Sequence, residues 1–180
     1  SKGSDMNGKM TSQEAASLGS GQARIKFCTE FQPSEHDFRT MVPGNVWKPL
    51  AQALELSEAL GAAPVLPDGK IGGNGAVLWK GGGILVSRSG RSAGESFQVQ
   101  DFVRVLDFDV TQWKAVYTAA SSTIKPSSDT PLLWHALRIA PDQFGWTQRP
   151  QFVLHGHSCA TTEEAAERHI PCSHEETLFS

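Results

Sequence analysis

"AVLWKGGGILVSRS", residues 76–89, decides the fold class. Two short apolar runs, Ala76–Leu78 and Ile84–Val86, flank three consecutive glycines. Runs this short, bounded by turn residues, read as strands rather than as helix. The "WKGGGIL" junction is a tight turn, so the two runs are predicted to pair as a β-hairpin. Further strand-like runs follow in "FVRVLDFDV" (102–110) and "AVYTA" (115–119). Antiparallel strands in the middle of a chain that also carries helical stretches predict an α/β protein of the α+β layering, not a doubly wound sheet.

Outward toward the N-terminus, "VWKPLAQALELSEALGA" (46–62) places Trp47, Leu50, Ala51, Leu54, Ala59 and Leu60 at helical spacing. Pro49 suits the first turn, which predicts a start near Val46 or Trp47, and Gly61 supplies a stop. A single apolar stripe implies a helix lying on a sheet. The stretch between helix and hairpin, "APVLPDGKIGGNG" (63–75), is a loop rich in Pro and Gly. Farther upstream, "ARIKFCTEF" (23–31) has strand character, with Ile25 and Phe27 alternating against Lys26 and Cys28. Residues 1–22 are polar and glycine-rich and read as a flexible tail. Residues 23–180 read as one domain.

Toward the C-terminus, "KPSSDTPLLWHALRIAP" (125–141) is a helix with Ser128 or Asp129 as cap and Pro131 in the first turn. Its buried stripe is predicted as Leu132, Leu133, Ala136, Leu137 and Ala140. "QFVLHGH" (151–157) is a strand that leads into another helix, opened by the Thr161 and Glu164 capping box.

The formal net charge of −3 offers no basic footprint for nucleic acid. No run of about 18 apolar residues is present to span a membrane. The three cysteines, Cys28, Cys159 and Cys172, are odd in number and lack disulfide-framework spacing. They point to the reducing cytosol, so the expected location is cytoplasmic.

Successive side chains of a strand point to opposite faces, so His155 and His157 face the same way. Two such imidazoles can converge on one cation. The same spacing also suits two solvent-facing histidines at a strand end. Gly156 between them leaves the opposite face open to close packing. Zinc, or another divalent ion that favours nitrogen, would suit the pair. Three small polar loops offer anion chemistry: Gly72-Gly73-Asn74-Gly75, Ser87–Gly90 and Ser127-Ser128-Asp129. Taken separately, each is equally a turn or a helix cap.

The ordered set of motifs resembles the class II aldolase/adducin domain. The parts that match are Gly73-Asn74, the "SRSG" turn, "PSSD" with His135 in the following helix, and His155 with His157. The resemblance covers about residues 45–180. It implies a central, mainly antiparallel sheet covered by helices. It implies a divalent metal, usually zinc, held by His155, His157 and one further histidine. It implies a phosphate site of Asn74, Ser89, Gly90, Ser127 and Ser128, with Asp129 as the proton-moving carboxylate. The activity implied is aldol cleavage or formation of a C–C bond in a small ketose or phosphoketose, through an enediolate that the metal stabilises. A homotetramer is implied as well.

The chain departs from that pattern in places. Aspartate stands at 129 where the family usually has glutamate, one methylene longer. His169 and His174 do not match the family's third ligand position, and a missing C-terminal segment is the expected explanation. Glu175 follows His174 near the place where aldolases carry a tyrosine proton donor. Two other functions fit the same frame: a non-catalytic adducin-like association module, and a metal-dependent sugar-phosphate dehydratase or epimerase.

Overall fold

Alternation along the inner strands produces a sheet whose centre is buried on both faces, while the two outer strands, Cys28–Phe31 and Phe152–His155, are partly exposed. The computed structural model describes residues 27–157. In chain order the elements are β1 (Cys28–Phe31), α1 (Phe38–Met41), α2 (Gly44–Ala59), β2 (Asn74–Leu78), β3 (Ile84–Ser87), β4 (Phe102–Asp109) and β5 (Lys114–Thr118). A helical segment follows as α3 (Thr130–Trp134), a π-helical turn (His135–Ile139) and α4 (Ala140–Gln143), and β6 (Phe152–His155) closes the set. The six strands run in the order β1-β5-β4-β3-β2-β6. Four of the five pairings are antiparallel, and β1 alone lies parallel to its neighbour β5. The architecture is α+β with a mixed sheet.

β3 shows how the faces are built. Ile84 and Val86 point to one side and Leu85 to the other, and all three are fully buried. On the first side they join Val103, Val105, Ala115 and Tyr117, under Leu133, Trp134 and Leu137 of the α3 segment. On the second side Leu85 and Phe102 pack under Phe38 of α1 and Leu50, Ala51 and Leu54 of α2. Each fully buried side chain of this size contributes about 1.5–3 kcal/mol.

In β4 the two-residue period breaks between Val105 and Phe108, yet both belong to the first core. The pairing with β5 shifts register between Val105 and Asp107. This bulge adds one residue and returns Phe108 to the face it would otherwise leave.

The predicted hairpin is present, with β2 and β3 antiparallel. Gly82 N–H donates to the Trp79 carbonyl at 3.1 Å, and Trp79 N–H to the Gly83 carbonyl at 3.2 Å. Gly83 has φ +81°, and a Cβ there would lie 2.2 Å from the Val105 carbonyl oxygen of β4. No other residue fits that position.

Two helix expectations change. α2 begins at Gly44 because the Pro43 carbonyl accepts from Val46 N–H at 3.0 Å and closes a turn earlier than predicted. Pro49 therefore sits inside the helix, on its exposed side, where water can take the carbonyl it leaves free. In the α3 segment Leu132 is 50 % exposed, whereas Trp134 is buried. There the helix widens to i→i−5 bonding, with Ala140 N–H donating to the His135 carbonyl. Pro141, with no N–H to give, follows immediately. β1 starts at Cys28; Ile25 and Lys26, the tail at residues 1–22 and the capping box at Thr161 and Glu164 lie outside the described residues. No helix among the described residues is long and apolar enough to cross a membrane.

Candidate functional site

β2 starts, and β3 and β6 end, at the same edge of the sheet, so the polar loops attached to them meet there. Asn74 and His155 are register partners across β2 and β6. Ser87, the last residue of β3, ties in two more segments. Its Oγ accepts from Gly75 N–H at 3.2 Å, and its carbonyl accepts from Ser127 N–H at 3.1 Å. Ser89 N–H then donates to the Lys125 carbonyl at 2.9 Å, and Arg88 bridges to Pro126. Residues 72–75, 87–90, 125–129 and 155–157 are thereby gathered at one place. Ser87 was not singled out from sequence. Its signal was a hydroxyl closing an otherwise apolar, fully buried strand, since a buried polar group needs partners.

Val153 packs against the first core, and alternation puts His155 on that same side, toward the start of α3. The His155 and His157 ring centroids lie 5.6 Å apart at an interplanar angle of 74°. The backbone between them is pinned. His157 N–H donates to the Ala62 carbonyl at 2.8 Å, and a Cβ on Gly156 would approach that same oxygen to 2.8 Å. Gly156 thus takes the close packing expected of it. The loop from Gly69 to Gly73 is braced in turn by Arg91, whose carbonyl accepts from Ile71 N–H at 3.0 Å. The Arg91 guanidinium is ion-paired with Glu58 of α2 and stacked 3.7 Å from the Phe97 ring centroid.

Asp129 occupies the N-cap position of α3 without capping through its side chain. Ser127 Oγ accepts from Asp129 N–H at 3.2 Å. The Asp129 carboxylate turns to the sheet, where Asn74 Nδ2 donates to its Oδ2. That same oxygen is 3.9 Å from His155 Nε2. The His157 pKa is lowered from its ordinary 6.5, first by burial and then by the neighbouring His155, with Asp129 opposing. Lowering favours the neutral imidazole, the form that binds cations.

Two imidazoles on bonds of about 2.0–2.1 Å to one tetrahedral ion would have ring centres roughly 5 Å apart. The separation of 5.6 Å comes close to this, and the donors are of the kind zinc takes. Among the described residues no group of three His, Cys, Asp or Glu is drawn tightly enough to hold an ion. His169 and His174 lie outside the described residues, and His135 is exposed on the π turn. Of the expected phosphate ligands, Asn74 and Ser127 are buried and already bonded within the fold. Ser89 and Ser128 are half-buried and Gly90 is exposed, so these three remain reachable. No family model, curated protein or solved structure matches this chain.

Proposed function

We propose that the chain is a metal-dependent lyase of the class II aldolase type, making or breaking a C–C bond in a small phosphorylated or hydroxylated keto compound. The observation that supports this reading is the meeting of the Asp129 carboxylate with the paired imidazoles at the edge where the serine loops also gather. A divalent cation, zinc in the first instance, supplies Lewis acidity toward the oxygens of the keto compound. His155 and His157 would hold it. Asp129 exchanges the proton. Ser89, Gly90 and Ser128 offer donors to the phosphate end. The enzyme on this reading is a cytoplasmic homo-oligomer, a tetramer by its resemblance.

A second reading, the adducin-like association module, draws on one observation. Phe144 and Trp146 are 62 % and 45 % exposed and stack on each other at 6.4 Å. Exposed paired aromatics suit a protein interface. The dehydratase or epimerase reading shares the same site.

Metal analysis and a panel of ketose phosphates test the proposal. Purified protein should carry zinc at about one per chain, lost in the double variant His155→Ala/His157→Ala. Asp129→Asn should slow retro-aldol turnover by about 10²–10⁴ with the metal retained. Thermal stability indifferent to chelation, together with no turnover, would point to the module. Dehydration or epimerisation without C–C cleavage would point to the third reading.

A further inference from the structure

We infer that Asn74 is the positioning residue for Asp129 and not a phosphate ligand. Its carboxamide donates from Nδ2 to Asp129 Oδ2. Turning the amide over would press its oxygen against a carboxylate oxygen, so chemistry fixes the orientation. The price of that orientation is visible at the other atom: Asn74 Oδ1 is buried with no hydrogen-bond partner. A buried acceptor left alone destabilises a fold, and an apolar side chain of the same shape would remove the penalty. Leucine, however, has no N–H to offer the carboxylate. Asparagine at this point makes sense through its donor.

The backbone explains why the donor belongs here. Asn74 opens β2 directly opposite His155 of β6. The ladder that sets the imidazole therefore also sets the amide, and the amide sets Asp129 Oδ2 at 3.9 Å from His155 Nε2. Ser127 adds to the device by accepting from Asp129 N–H at 3.2 Å, which holds the backbone that carries the carboxylate. With Oδ2 held, Oδ1 is the oxygen that moves the proton. One Nδ2 proton is committed to Asp129, and with Asn74 only 7 % exposed little of the amide is presented to a phosphate.

The kinetic part of the test rests on the lyase reading, and the spectroscopic part does not. In ¹⁵N-labelled full-length protein, one Asn74 side-chain amide proton should resonate well downfield of its geminal partner. Asp129→Ala should return it to the ordinary range. An unchanged resonance in Asp129→Ala overturns the inference, whatever the reaction proves to be. With a turned-over ketose phosphate, Asn74→Leu should lower kcat by about 10–100-fold with KM within about twofold. Asn74→Ser, which keeps a short donor, should recover part of kcat. A KM raised about tenfold at full kcat would identify a phosphate ligand instead and sink the idea. Wild-type protein that turns over nothing rejects the lyase, while the amide resonance still decides the role of Asn74.

Discussion

Two glycine-rich segments bracket β2, and they are glycine-rich for opposite reasons. The entering stretch is Gly72-Gly73-Asn74-Gly75, whose last two residues open β2, and the leaving turn is Gly81-Gly82-Gly83. In the turn all three glycines have positive φ, and Gly81 and Gly82 have open space where a Cβ would stand. In the entering stretch no φ is positive, but there is no room: a Cβ on Gly73 would stand 2.8 Å from Ala63 Cβ. One cluster needs backbone freedom, and the other needs close approach. The close approach is what draws the Asn74 loop against residues 62–63 and the end of β6, where the imidazoles are.

The largest effect should come from Gly83→Ala, which meets both problems at once. Its φ is +81° and its new methyl would strike the Val105 carbonyl of β4. We expect a loss of about 4 kcal/mol or more in denaturant unfolding. A loss under about 1 kcal/mol would mean that the hairpin and β4 separate easily. Gly73→Ala should cost about 1–3 kcal/mol by overpacking, and should disturb residues 155–157 as well. Amide shifts confined to the loop itself would break the link drawn between loop and site. The smallest effect concerns His157, whose ring lies 3.3 Å from where a Cβ on Gly72 would be. Its folded pKa lies below 6.5, so on acidification the unfolded chain takes the proton first. The stability it contributes is complete above about pH 6.5 and is lost as the pH falls through the folded value. Thermal unfolding of chelated protein from about pH 7.5 to 5 should show this decline, and His157→Gln should flatten it. An identical decline in the variant would place the cause elsewhere.

The sheet was legible because its strands are marked locally. β2, β3, β4 and β5 follow from short apolar runs, and the Gly81–Gly83 turn announces the hairpin. β1 was readable as a strand, but its parallel partner β5 is far along the chain and leaves no local mark. The stripe of the α3 segment was misread at Leu132 because its centre was set one step off: the buried face runs through Leu133, Trp134, Leu137 and Ala140, with Trp134 in place of Leu132. The site divides the same way. The period of two predicts His155 and His157 on one face; β6 ends at His155, and the two rings nonetheless lie 5.6 Å apart. That Asn74 gives its donor to Asp129 depends on a register between β2 and β6 and on Asp129 standing at the N-cap with its side chain uncommitted to capping. Neither is written in spacing.

β6 is a four-residue strand at the margin of the sheet, and among the described residues β2 is its one ladder partner. Both nitrogen donors travel on it or just past its end. Peeling this ribbon away would remove the pair in a single stroke, and neither ring could leave alone. An ion held by the two rings would clasp this strand to the body of the domain only if a group from another element, such as Asp129, also took part.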